Sequence, residues 1–425
     1  MQKFAASVGK KQVSFSIPTG IESKVIRPKD LPVIGDVDNA IQEAIAHPIG
    51  RKRLFETVRP DDRVAIIVTD TTRKLPEDII VPLLLDQLAL AGVKMDNIIV
   101  VNALGKHEAN TIEELTEMLG AGVMKRVKVI NHAPLDPTRL KSLGNSACGF
   151  PIVINDLVLD ADVKIATGII EPHLFAGYSG GVKTLSVGVA GLETLAATHN
   201  YQILEHPKTR LGIIEDNIFR QFLTEAAMAV GIDFIVNVVQ NGKKELLAVY
   251  AGHPIKAFEK GVKKAREVFE VAVEQEYDIV VSIPGYPKST NLYQATRAWN
   301  NVVFGARPIV KKGGTIIIPA PCEKGVGEKA FYQVLADAAT PQQVIKDAQK
   351  YGFMPGEHKA FLAAKVLNYC QVIMTDCQIA SEKLEEMHLE VEATIQEALD
   401  RVIAKKGNPS VLIMPDGTLT LPIFK

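Results

Sequence analysis

The sequence predicts an α/β protein of two domains, each built on a mostly parallel sheet, with the ligand-binding cleft expected between them. Three observations predict it. Short β-branched runs alternate with helix-period segments from about residue 60 onward. A fresh series of the same kind opens at "YDIVVSIPG", after a long charged stretch. Finally, 425 residues exceed what one ordinary hydrophobic core fills.

In chain order, the first 30 residues read as an antiparallel ribbon in which "QVSFSIP" and "SKVIRP" flank "TGIE". "RVAIIVTD" is a buried strand, "PEDIIVPLLLDQLALAG" an amphipathic helix with Gly92 past its end, and "NIIVVNA" the next strand. That order requires parallel pairing through a crossover helix. The alternation continues through "VKVINH", "DVKIATG" and "FIVNVVQN", with "NIFRQFLTEAAMAVG" as a helix. "KAFEKGVKKAREVFEVAVEQE" reads as one charged helix leading to a domain boundary near residue 272. "GGTIIIPAP" and "CQVIMTD" supply strands of the second domain. The expected division is therefore 1–271 and 272–407, with 408–425 a closing strand able to complete the first domain.

Composition narrows the function classes. Apolar residues make up 47% and charged residues 23%, the balance of a globular protein. A formal net charge of −1, with both signs interspersed, leaves no broad field for nucleic acid or an anionic membrane. Any anion must be held by a local cluster. The four cysteines show no C-x-x-C pair and no zinc spacing, so they read as buried free thiols of a reducing compartment. With no apolar leader and no run near 18 apolar residues, the expected location is cytoplasmic.

In open parallel sheets, ligands gather beyond the carboxyl ends of the strands. Read in order, those ends carry Asp70, Thr71, Thr72 and Arg73, then Gly105 and His107. Next come His173, Ser179, Gly180, Gly181 and Lys183, and finally the "PGYPKSTNLYQATR" loop. Three chemistries compete for the glycine-rich loop. "GYSGG" fits the G-x-S-x-G turn of serine hydrolases, but "EPHLFA" separates the serine from its strand and no H-G-G-G-like loop lies upstream. The same residues approach a phosphate loop, G-x-x-x-x-G-K-[ST], yet Val182 stands where that motif needs glycine. A third reading uses every unusual residue: glycines admit a phosphate-bearing cofactor, a lysine holds it, and histidines serve as metal ligand and proton carrier.

"TDTTRKLP", "LGKH", "EPHLFAGYSGGVKTLSVGVAG", "THN" and "QATR", in this order and spacing, resemble the nickel-dependent lactate racemase family of 2-hydroxyacid racemases and epimerases. The resemblance spans most of the chain. It implies an isomerase with nickel(II) in a pyridinium-3,5-bisthiocarboxylic acid mononucleotide, a nickel-pincer nucleotide attached at Lys183, with His199 as the metal ligand. It further implies His107 and His173 as the two bases. Asp70, Thr71, Thr72, Arg73, Ser179, Gly180 and Gly181 would bind the cofactor, and Gln294 and Arg297 the substrate. His47, His132, His206, His253 and His358 lack motif support and read as structural or surface residues.

The chemistry explains the cofactor: the C–H of a hydroxyacid carboxylate is too weakly acidic for a side chain, so hydride removal through a 2-keto acid is the easier route. Two stereoisomers present their hydroxyls oppositely, which requires two bases. Arg297 stands where the lactate enzyme has lysine, and the tryptophan that the family places near its substrate has no counterpart except Trp299, with aromatics in "YGFMPGEH" instead. That departure opens the substrate to hydroxyacids other than lactate: longer or aromatic acids, malate, or a sugar acid. Partners implied are the small-molecule substrate and the accessory proteins that synthesise the cofactor. A non-catalytic carrier of the nickel-nucleotide is the alternative, and it would dispense with His107 and His173.

Overall fold

The computed structural model describes residues 1–353 and 356–424. The chain divides into two compact units. One holds residues 30–198 and 214–268, the other residues 1–29, 199–213 and 269–425. They are called here the N-terminal and the C-terminal unit.

The N-terminal unit is built on a six-stranded sheet in the order Leu246–Gly252, Phe234–Gln240, Val163–Ile169, Val64–Thr69, Ile98–Ala103, Lys128–Asn131. All pairs are parallel except the first, which is antiparallel. Every residue of Val64–Thr69 is buried, as expected of a strand covered on both faces. The helix Glu77–Leu90 covers one face, burying Ile80, Leu84 and Leu88 at i,i+4 spacing with Val81 and Leu85 beside them. The chain leaves Val64–Thr69 toward Ile98–Ala103 and returns on its other side as Val163–Ile169. The first strand therefore sits at a topological switch point, where neighbouring loops diverge beyond the carboxyl ends. Loops 70–73, 104–107 and 170–183 all leave from there.

Glu77, in the first turn of that helix, is fully buried. Its Oε1 accepts from the Thr167 hydroxyl at 2.6 Å, while Oε2 has no hydrogen-bond partner among the described residues. Burial raises its pKa to about 7, against the opposing hydrogen bonds from Thr167 and the Thr69 backbone. A carboxyl that folding makes a weaker acid destabilises the native state as pH rises from its unfolded value through its folded one. Over that window the loss is about 3 kcal/mol. Urea unfolding of wild type is thus expected to lose stability as pH rises from 4.5 to about 7, and Glu77→Gln to flatten that slope. An equal slope in the variant would contradict this origin.

The C-terminal unit carries a second six-stranded sheet, all parallel, in the order Glu390–Val391, Gln371–Thr375, Val310–Pro319, Tyr277–Ser282, Val411–Met414, Ser23–Val25. Tyr277–Ser282 is its switch-point strand, and the "PGYPKSTNLYQATR" loop leaves from its carboxyl end. Ile279, Val281, Ile317 and Ile413 of this sheet pack with Leu399 and Val402 of the helix Ile395–Lys406.

Three sequence expectations are corrected. The ribbon pairs Gln2–Val8 with Lys11–Ile17, because the tight turn at Gly9, with φ +61°, brings the residues before it back first. Ser23–Val25 instead takes the parallel edge beside Val411–Met414. The charged helix ends at Phe269, and Glu270–Val273 becomes a strand parallel to Leu421–Phe424, whose backbone groups it satisfies. Consequently both the first 29 residues and the closing strands belong with residues 269–425 rather than with the expected 1–271 division. Among the described residues no helix is long and apolar enough to cross a membrane.

Candidate functional site

The three loops of the N-terminal switch point bring most of the expected site residues together. Asp70 follows the strand Val64–Thr69 and is buried. Its Oδ1 accepts from the backbone N–H and the hydroxyl of Thr72, at 3.1 and 2.6 Å, closing a short turn. Its Oδ2 faces Nδ1 of His107, from the loop after Ile98–Ala103. Burial works against the Asp70 carboxylate, but the His107 contacts, the Thr72 hydroxyl and the Arg73 charge outweigh it and hold its pKa below the ordinary value. An ionised Asp70 fixes the proton of His107 on Nδ1 and leaves Nε2 as the acceptor, the arrangement a general base requires. The His107 side chain is 57% exposed, so a ligand can reach it.

Thr71 accepts from Asn110 Nδ2 at 2.8 Å and keeps its own hydroxyl proton to donate. Arg73 pairs with Glu171 at 3.2 Å through one guanidinium nitrogen, and its fork has further donors for an anion.

The loop 170–183 is shaped from within. Arg220, buried on the helix Ile218–Val230, donates to the carbonyls of Ala176 at 3.2 and 3.1 Å, of Tyr178, and of Gly180 at 3.5 Å. Its guanidinium also lies 4.5 Å from the Phe258 ring centroid. Gly180 and Gly181 have φ +75° and +62°. A Cβ on Gly180 would lie 2.7 Å from Asn237 Oδ1, and one on Gly181 2.8 Å from Phe258. Their glycines are therefore demanded by the packing behind the loop, a reason the sequence reading did not supply. Ser179, expected as a phosphate donor, is turned inward: its hydroxyl donates to Ile169 O at 2.6 Å and accepts from Glu171 N–H at 3.1 Å. Its single proton is committed to the loop, which also removes it as a hydrolase nucleophile.

Lys183 opens the short helix Lys183–Ser186 that this loop leads into. Desolvation, reinforced by the charges of Arg73 and Arg220 and only partly offset by Asp70 and Glu171, drives its amine well below its ordinary pKa. That shift favours the neutral amine, the form in which a lysine is a nucleophile. His173 shares this loop. Its Nδ1 accepts from the N–H groups of Phe175 and Ala176 at 3.3 and 3.2 Å, which assigns the proton to Nε2.

The C-terminal unit holds the remaining expected residues. His199 lies 5.2 Å from His358, centroid to centroid. Gln294 stands in the short helix Leu292–Ala295, capped by Asn291 Oδ1 at 2.9 Å, and Arg297 begins the next helix. Lys359 was not singled out from the sequence. Its amine donates to Tyr293 O at 2.5 Å and lies 3.8 Å from that residue's ring centroid. Desolvation, then the Arg297 and Lys288 charges, push its pKa well down. Trp299 is buried in the core. Of "YGFMPGEH", Met354 and Pro355 lie outside the described residues.

Buried His132 spans Ala190 O at 2.9 Å and Asn155 Nδ2 at 3.3 Å, and desolvation lowers its pKa.

Comparison with known proteins agrees with the geometry. Residues 8–212 match the lactate racemase N-terminal domain family and residues 272–421 the lactate racemase C-terminal domain family. The lactate racemase of Lactiplantibacillus plantarum is 30% identical over 382 residues, 89% of each chain. The chain belongs to the lactate racemase family. The lactate racemase of Thermoanaerobacterium thermosaccharolyticum is 29% identical over 415 residues, 96% of each chain. The solved apoprotein from that organism superposes with a TM-score of 0.92 at 27% identity, covering 99% of this chain and 100% of the other. A Thermotoga maritima protein of 21% identity, with a TM-score of 0.69 over 92% of this chain and 98% of its own, shares the fold. Membership of the lactate racemase family makes the chain an isomerase of the racemase kind.

Proposed function

We propose that this member of the lactate racemase family interconverts stereoisomers of a 2-hydroxyacid, using a nickel-pincer pyridinium nucleotide attached at Lys183. The observation that carries the proposal is the Lys183 amine itself, desolvated, pressed by two guanidinium groups and held well below the usual lysine range. An amine whose neutral form is favoured at that position suits covalent attachment to a cofactor carboxyl-derived arm. The donor set points the same way. Among the described residues no three His, Cys, Asp or Glu side chains are grouped to hold a metal, so nickel would draw most of its ligands from an organic group, with His199 completing them. Arg73 and the Thr71 hydroxyl suit the nucleotide phosphate.

When bound, the pyridinium group supplies a hydride acceptor. The chain's own residues manage protons and orientation. His107 Nε2 takes the hydroxyl proton of one stereoisomer, and Asp70 stabilises the imidazolium that forms. His173 serves the opposite stereoisomer. Its Nδ1 must first leave the Phe175 and Ala176 N–H groups, because a ring protonated on both nitrogens has no acceptor for them. Gln294 and Arg297 hold the substrate carboxylate, and the desolvated Lys359 amine, whose charged form burial and the Arg297 charge disfavour, lies in that neighbourhood as a hydrogen-bond donor. A carrier of the nucleotide would have no use for the Asp70–His107 pair, which favours catalysis.

The test uses protein produced together with the accessory cofactor-synthesis proteins. A covalent mass increase at Lys183 and decay of optical rotation for at least one of lactate, malate, an aromatic hydroxyacid or a sugar acid are expected. An adduct with no rotation change for any of them would support the carrier reading instead. For the substrate that responds, Arg297→Lys is expected to raise KM by about 10-fold with less change in kcat, since a point charge replaces a bidentate fork. An unchanged KM would remove Arg297 from carboxylate binding.

A further inference from the structure

Cys322 and Cys377 lie in the C-terminal unit, beyond the carboxyl ends of neighbouring parallel strands. Pro319 of Val310–Pro319 stands opposite Thr375 of Gln371–Thr375. Backbone pairing continues past both strand ends, from Ala320 N–H to Thr375 O at 3.0 Å and from Gln378 N–H to Pro321 O at 2.8 Å. That pairing sets the two thiols side by side, close enough for each to shift the other's pKa, with Cys322 buried and Cys377 half-buried. Adjacent strands run about 5 Å apart, inside the Cα separation that a disulfide spans.

We propose that Cys322 and Cys377 form a dithiol modification site that closes reversibly to a disulfide by exchange with a low-molecular-weight disulfide. The two thiols are differentiated for such a reaction. The Cys322 S–H and, against desolvation, the N–H groups of Ile379 and Gln378 stabilise the Cys377 thiolate and lower its pKa. Its accessible thiolate attacks one sulfur of the small disulfide, forming a mixed disulfide and releasing one thiolate. Cys322, whose thiol is pushed up by the neighbouring Cys377 and by burial, then loses its proton and attacks the Cys377 sulfur. A second small thiolate leaves, so one small disulfide is reduced to two thiols as the protein dithiol is oxidised. The cross-link would grip the loop beneath Gln294: Cys322 N–H donates to Ser289 O at 2.9 Å, and Leu292 and Tyr293 donate to Gly325 O and Val326 O at 3.1 and 2.9 Å.

The test treats the full chain with oxidised glutathione, blocks remaining thiols with iodoacetamide, and reads intact mass and a peptide map. Expected is a species lighter by two hydrogens once any carbamidomethyl or glutathione groups on Cys148 and Cys370 are subtracted, carrying no glutathione on Cys322 or Cys377, with the 322 and 377 peptides joined and parted again by dithiothreitol. Cys322→Ser is expected to stall as a single glutathione adduct on Cys377, and Cys377→Ser to leave Cys322 unreacted. A second measurement on wild type needs no variant: Cys377 should be alkylated at least ~10-fold faster than Cys370, whose burial raises its pKa to about 12. A persistent mixed disulfide on wild-type Cys377, a link through Cys148 or Cys370, no mass change, or equal alkylation rates would overturn the proposal.

Discussion

Lys183→Met is expected to fold, to carry no covalent adduct, and to show no measurable interconversion of any hydroxyacid, even when made alongside the cofactor-synthesis proteins. Methionine keeps the length and most of the volume of the side chain while removing the amine. What separates loss of the attachment point from loss of the fold is the direction of the stability change. A lysine whose folded pKa lies below its unfolded value destabilises the native state wherever the unfolded chain would be protonated, which includes neutral pH. The unliganded variant is therefore expected to melt above unliganded wild type at pH 7, the usual physiological reference. The gap should shrink as pH rises toward the ordinary lysine pKa, where both states are neutral. Calorimetry across that range, with intact mass on protein from the same preparation, reads both halves. A variant that still carried the adduct would place the attachment elsewhere.

His107→Gln and His173→Gln should each abolish most racemisation while the adduct remains, because proton transfer by a positioned base contributes about 10²–10⁴-fold. The informative readout is the half-reaction. If each histidine serves one stereoisomer, each variant should retain the absorbance change on mixing with one enantiomer and lose it with the other, in opposite senses. Asp70→Asn should resemble His107→Gln with a smaller loss, since the imidazole stays while its tautomer is no longer fixed. Loss of both half-reactions in a single variant would mean that one base serves both faces.

Much of this was legible in the sequence because the signals are local. Val64–Thr69 reads as a strand since every position is apolar or small, and Val163–Ile169 does so at every position but Lys164. Asp70 reads as a site residue since it follows such a strand directly, and His107 and Lys183 since they lie in the loops beyond the carboxyl ends of such strands. Residues acting through distant partners were not legible. Arg220 lies within an amphipathic helical run, and nothing local reveals that it collects carbonyls some 40 positions earlier. Lys359 gains its meaning from Tyr293 and Arg297. The thiol pair depends on the register of two strands that pair residues 56 positions apart, Pro319 with Thr375. The segment 199–213, which leaves the N-terminal unit and carries His199, shows no compositional break. Register and long-range partners are set by tertiary packing, and a linear pattern does not encode them.

The most direct measurement is racemisation, by the fully assembled protein in ordinary water, of whichever hydroxyacid proves to be the substrate, deuterated at C2 and supplied as a single enantiomer. Removal and return of that hydrogen as hydride should leave the deuterium on C2 of the inverted product and slow turnover relative to the unlabelled acid. Inverted product that carries solvent hydrogen in its place would mean the carbon is deprotonated, and the roles given to Lys183, His107 and His173 would fall together.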